Sequence, residues 1–159
     1  MISVSVLLMW LNALDYNHLR RLFMDLLKKP LPNQVTDFTD WLAAGAPAGE
    51  AIKVNSDVDM GTLLPAALVC SEVQVDFPMF ADGRGFSIAR LLRREGFTGV
   101  IRAVGDVAVD RVSYMQRVGF DAVELKEGEQ ADLLPQLVNR IQVHYQNSSD
   151  GSGPVYKAG

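Results

Sequence analysis

Apolar and polar positions alternate most clearly between Val73 and Leu125, and the rest of the chain is organised around that stretch. Val73, Val75 and Phe77 alternate with Gln74 and Asp76. A period of two predicts a strand with Asp76 near its carboxyl end, and Pro78 cannot continue the ladder. From Ser87 to Arg94 the spacing becomes helical. Ile88, Leu91 and Leu92 face inward, Arg90, Arg93 and Arg94 share the other side, and Gly96 closes the helix. Val100 to Val104 is β-branched enough for a buried parallel strand. Gly105-Asp106 then turns into a helix that Asp106 can cap, with Val109, Val112 and Met115 inward and Gly119 past its end. Ala122 to Leu125 is the next strand.

Upstream, residues 16 to 29 place Leu19, Leu22, Phe23, Leu26 and Leu27 at helical spacing until Pro30 and Pro32 stop them. That helix either covers part of the core or forms a homodimer or partner contact. Residues 35 to 44 predict a short helix capped by Thr36 or Asp37 and ending at Gly45. Ala51 to Val54 reads as a short strand, residues 55 to 59 as a polar loop, and Thr62 to Ala67 as a helical turn leading into a buried strand at Ala67 to Cys70. Leu133, Leu134, Leu137, Val138, Ile141 and Tyr145 mark a closing amphipathic helix, followed by a Ser/Gly-rich tail.

Strands and helices alternate with short connections, so the expected fold is α/β: a small, mostly parallel sheet with flanking helices and an N-terminal helical extension. The pattern leaves a doubly wound sheet and a partial β/α barrel both open. The expected division is an extension at 1–34, an α/β domain at 35–146 and a flexible tail at 147–159.

Composition narrows the function classes. The chain has 159 residues, 48% of them hydrophobic, enough for one domain with a real core. A formal net charge of −4 gives no global attraction to nucleic acid. The apolar run from Val4 to Leu14 is too short to span a bilayer as a helix, and a cytoplasmic protein is expected. Cys70 is the single cysteine, which excludes an internal disulfide and a CxxC redox motif. No motif encodes a recognisable cofactor, and no metal site is expected.

Candidate chemistry sits beyond the carboxyl ends of the strands, where parallel α/β folds bind ligands. Asp82, Gly83, Arg84, Gly85 and Ser87 form a candidate small-oxyanion site, because the two glycines let backbone amides approach a ligand and Arg84 adds a guanidinium. The bland alternative is a tight turn in which Arg84 pairs with Asp82. Asp76, Arg102, Asp106 and Glu124 form a candidate catalytic group. Arg102 lies within an apolar strand and needs a counter-charge, for which Asp76 or Glu124 is the expected source. Asp76, Asp106 and Glu124 holding magnesium is a weaker alternative, because Arg102 would compete with the cation. Arg90, Arg93 and Arg94 make a basic strip that is either a solvated helix face or a docking surface.

The stretch DFPMFADGRGFSIARLLR at 76 to 93, with RAVGD at 102 to 106 and GFDA at 119 to 122, resembles the bacterial domain of unknown function 934 family. The likeness covers roughly residues 35 to 145, and the first 34 residues depart from the family's usual opening, a short polar strand region. Members of that family are commonly labelled oxidoreductases involved in sulfite reduction. The resemblance therefore implies an association with assimilatory sulfite or nitrite reductase and cysteine biosynthesis, and carries over no catalytic residues. Together with the missing redox motif, this favours an accessory protein of sulfite reduction that binds an oxyanion or docks on the reductase. The alternative is an autonomous small-molecule enzyme acting through the Asp76, Arg102, Asp106 and Glu124 group.

Overall fold

Five short stretches rich in Val, Ile and Ala form one sheet in the computed structural model, which describes residues 29–133 and Leu137. The strands are β1 (Val35–Asp37), β2 (Ala51–Val54), β3 (Glu72–Phe77), β4 (Val100–Gly105) and β5 (Ala122–Val123). All neighbouring pairs are parallel, in the order β1-β2-β3-β4-β5. The connecting helices are α1 (Phe38–Ala43), α2 (Met60–Ala67), α3 (Arg84–Arg94) and α4 (Val112–Val118).

Sequential strand order separates the two architectures that the sequence leaves open. A doubly wound sheet reverses its order at a switch point, and among the described residues this sheet has no reversal. With right-handed crossovers, successive helices then fall on the same face. The sheet is wound in one direction, like a segment of a β/α barrel.

The two faces differ in chemistry. Ile52, Val54, Val73, Val75, Phe77, Ile101 and Ala103 join the helix residues Trp41, Leu63, Ile88, Leu92 and Met115 in one apolar core. Trp41 is fully buried, and its indole N–H donates to the Pro47 carbonyl at 3.0 Å. The opposite face carries Glu72, Gln74 and Arg102, all buried, beneath the segment at Lys29 and Pro30, whose carbonyl oxygens accept from Arg102 at 3.3 and 2.8 Å.

Several elements differ from the sequence expectation, each for a local reason. Val35–Asp37 is a strand rather than the start of a helix, because it gains ladder pairing with Ala51 to Lys53. Asp37 still caps the helix that follows, accepting from the Thr39 amide at 3.1 Å. No strand forms at Ala67 to Cys70: Ala67 ends α2 in the core, while Leu68 and Val69 are exposed in the turn. Pairing on β3 begins only at Glu72, opposite Ala51 and Val100. Helix α3 starts at Arg84 rather than Ser87. Asp106 is not a helix cap; the chain enters α4 through a 3₁₀ turn at Val109–Arg111. Gly96 and Gly119 follow their helices at φ of 90° and 116°, the left-handed conformation expected of them.

The proposed helix at 16–29, with its dimer contact, lies outside the described residues apart from Lys29, as does the tail. Of the closing helix, Leu133 and Leu137 are described: Leu133 ends a 3₁₀ turn at Ala131–Leu133 and is exposed rather than turned inward, and Leu137 packs against the core. No described helix is long and apolar enough to cross a membrane.

Candidate functional site

Because every strand runs the same way, the loops after β2, β3 and β4 leave the sheet at one edge. Two contacts tie the last two loops together: the Asp106 amide donates to the Phe77 carbonyl at 2.7 Å, and the Phe80 amide donates to the Asp106 carboxylate at 2.9 Å. Gly105 makes this approach possible. It sits at φ 92°, and a Cβ there would lie 2.5 Å from the Phe77 carbonyl oxygen and 2.9 Å from the Asp76 carboxylate. Between the β2 and β3 loops opens a cleft of about 230 Å³ lined by Asn55, Ser56, Asp57, Asp76, Pro78 and Arg84.

Of the five residues of the candidate oxyanion site, Arg84 is the one that lines this cleft. Its guanidinium is held by Asp82 through Nε at 3.0 Å and Nη2 at 2.8 Å. The Asp82 carboxylate also accepts from the Arg84 amide at 3.0 Å and from the Ser56 hydroxyl at 2.6 Å. A carboxylate of the chain itself therefore occupies the start of α3, where an oxyanion was expected. Gly83 precedes the helix in open space, and Ser87 is exposed one turn on. Gly85 answers a packing need: a Cβ there would lie 2.5 Å from the ring of Phe77.

The candidate catalytic residues occupy separate environments. Asp76 lines the cleft and pairs with Lys53 at 3.3 Å. Asp106 pairs with Lys126 at 3.0 Å. Glu124 is exposed just past β5. Arg102 lies mid-strand with Glu72 as its partner, Nε to Oε1 at 2.8 Å, rather than Asp76 or Glu124. Its register partner is Gln74, and its side chain leans back toward the amino end of β3. Gln74 donates to the same Glu72 oxygen at 2.9 Å. No three His, Cys, Asp or Glu side chains among the described residues gather as a metal site.

The basic strip also divides. Arg94 is exposed and pairs with Glu95, and Arg90 is exposed. Arg93 leaves the strip: it donates to the carbonyls of Gly119, Phe97 and Gly99 at 3.0, 2.7 and 2.9 Å and pairs with Asp121. Its guanidinium joins the end of α4 to the start of β4, a structural role that helical spacing alone does not reveal. Cys70 is buried, and that burial pushes its thiol up to about 11, so it is a poor nucleophile at neutral pH.

Sequence reasoning missed a second surface on the same rim. Met79 and Phe80 are 59% and 49% exposed at the tip of the β3–α3 loop, and Tyr114 on α4 is 50% exposed. The Arg111 guanidinium lies 3.6 Å from the centroid of the Phe80 ring and donates to the Phe80 carbonyl. It also sits 5.8 Å from the Phe86 ring, which meets Tyr114 edge-on at 5.0 Å. These residues form a continuous Met, aromatic and Arg surface. Two large apolar residues after Pro78, in a loop too short to fold back on the core, were the available signal.

Three carboxylates around the loops hold their protons less readily than usual. Asp82 is well below the ordinary carboxylate range because of the hydrogen bonds from the Arg84 side chain and then from Ser56. Asp106 is lowered chiefly by Lys126, and Asp59 chiefly by the Thr62 hydroxyl it binds at the start of α2. The unfolded chain, with ordinary carboxylates near 3.8, takes up these protons first as pH falls. The contribution of these groups to stability is therefore complete above about pH 5 and lost progressively below it. Urea midpoints are expected to be level between neutral pH and pH 5 and to fall at lower pH. Asp82→Asn should flatten part of that fall.

These features define a small, singly wound parallel α/β protein whose polar cleft and aromatic surface share one rim. The chain belongs to the family described as bacterial protein of unknown function (DUF934), whose family model matches residues 51–156, well over half of its length. That match begins at β2 and includes the whole rim. No curated protein and no solved structure matches this chain.

Proposed function

We propose that the protein is a cytoplasmic accessory factor of assimilatory sulfite reduction that docks on the reductase through the rim formed by Met79, Phe80, Arg111 and Tyr114. The observation that carries this reading is the composition and order of that surface. Aromatic, Met and Arg side chains are the ones enriched at the centres of protein interfaces. Here Phe80 is already held by Arg111 from both its ring and its carbonyl, which lowers the ordering cost of binding. The partner is the one implied by the family resemblance of residues 76 to 122.

The chemistry of the chain supports an accessory role over electron transfer by this protein alone. Its single thiol is buried and hard to ionise, and Arg102 of the candidate catalytic group is enclosed in an ion pair.

Binding of the purified protein to the sulfite reductase of the same host, measured by calorimetry, tests the proposal. Phe80→Asp removes the ring at the centre of the surface and sets a carboxylate beside the Arg111 guanidinium, and is expected to weaken binding by at least about tenfold, or about 1.4 kcal/mol. Because Phe80 is half exposed, the variant should keep its fold. Wild-type protein that does not bind, or a Phe80→Asp variant that binds equally well, contradicts the reading.

A further inference from the structure

The cleft beside the rim carries a charge pattern that neither the oxyanion expectation nor the docking surface uses. Its lining combines the carboxylates of Asp57 and Asp76, the guanidinium of Arg84 and the amide of Asn55. Behind the lining, Lys53 pairs with Asp76 at 3.3 Å and Asp82 pairs with Arg84 at 2.8 Å. Along this set the signs run Lys53 positive, Asp76 and Asp57 negative, Arg84 positive and Asp82 negative. A bare oxyanion reaching Arg84 would meet three carboxylates against two bases. A bare cation would meet Arg84 and Lys53.

Open valences remain on both sides. Asp82 engages Nε and Nη2 of Arg84, leaving Nη1 without a partner among the described residues, and the Arg84 side chain is 61% exposed. Asp57 and Asn55 are exposed, and their side chains make no hydrogen bond or ion pair with the described residues; the Asn55 carbonyl accepts from the Val58 amide at 3.2 Å, and Asp57 acts on Arg84 through its charge alone. At about 230 Å³ the cleft is smaller than the 300 Å³ or more typical of drug-sized ligands.

We propose that this cleft binds a small zwitterion of the α-amino acid type, with its carboxylate on Arg84 and its ammonium between Asp57 and Asp76. Charge-assisted hydrogen bonds at both ends fix the orientation, and the small volume selects a short side chain. Ser56, whose hydroxyl donates to Asp82 at 2.6 Å, joins the β2 loop to the start of α3 and so sets the width of the cleft.

Amide chemical shifts of the full chain, followed during separate titrations with L-serine, glycine, sodium sulfate and methylamine, test this inference. Saturable shifts at Asn55, Asp57, Asp76 and Arg84 are expected with L-serine and glycine, and binding about tenfold weaker or worse with sulfate and methylamine. Asp57→Asn, at an exposed position whose side chain makes no hydrogen bond with the described residues, should keep the fold and weaken L-serine binding by at least about tenfold. Sulfate or methylamine binding as tightly as L-serine, an absence of shifts with L-serine, or an unchanged affinity in Asp57→Asn would each overturn the proposal. The same variant should bind the reductase like wild type, which keeps this inference separate from the docking reading.

Discussion

Arg102→Ala is expected to lower folding stability by about 3 to 5 kcal/mol, the usual cost of removing one partner of a buried ion pair. The side chains of Arg102 and Glu72 are 3% and 8% exposed, and they meet through two hydrogen bonds at 2.8 and 3.3 Å. Truncating the arginine leaves the Glu72 carboxylate buried with Gln74 as its remaining side-chain donor. It also removes the donors to the Lys29 and Pro30 carbonyls, so limited proteolysis should cut faster near residue 30. Urea denaturation gives the magnitude. Replacing both charges together, as Glu72→Leu with Arg102→Met, should recover much of the loss, because the attraction within a buried pair only offsets its desolvation. A loss of less than about 1 kcal/mol in Arg102→Ala would mean that the pair is solvated.

Gly105→Ala is the second large effect, expected at roughly 2 to 5 kcal/mol from overpacking and left-handed strain combined. Its φ of 92° disfavours any side chain, and the new methyl would meet the backbone oxygen of Phe77 at 2.5 Å. Backbone cannot rotate away as a side-chain end can, so β3 and β4 must part at their carboxyl ends. Asp76, 2.9 Å from the same methyl position, moves with them and disturbs the cleft. Thermal unfolding, with Gly83→Ala as the comparison, checks this. Gly83 has φ of −93° and open space, so its replacement should change stability by about 1 kcal/mol or less.

The central βα units were legible because two signals agreed at each. At β3 the alternation of Val73, Val75 and Phe77 coincided with a stop at Pro78, and the helix after it had both an apolar stripe and Gly96 beyond its end. The parallel arrangement followed from short connections. What local pattern could not supply was long-range choice. Val35–Asp37 reads as helix until β2 is there to pair with it. Strand order, and with it single winding, depends on which edges meet rather than on any residue's own preference.

The same limit shaped the reading of the site. Asp82 and Arg84 were found, and their pairing with each other, expected as the alternative to an oxyanion site, is present through two hydrogen bonds; the bond that Asp82 also accepts from Ser56 of a distant loop has no local signal. Arg102 was correctly marked as needing a counter-charge. Its partner Glu72 lies at the amino end of β3, away from the carboxyl ends where ligands bind, and only the arginine's length, which alternation does not encode, lets it reach back along β3. Arg93 lay on the polar side of α3 by periodicity, yet three carbonyls and Asp121 draw it into the structure.

A photo-activated cross-linking amino acid placed at position 80 in the living host tests the docking account most directly. The account expects a cross-linked product containing sulfite reductase from position 80, and none from position 68, which is equally exposed in the turn preceding β3 at the opposite edge of the sheet. Capture of the reductase from position 68 and not from position 80 would contradict it.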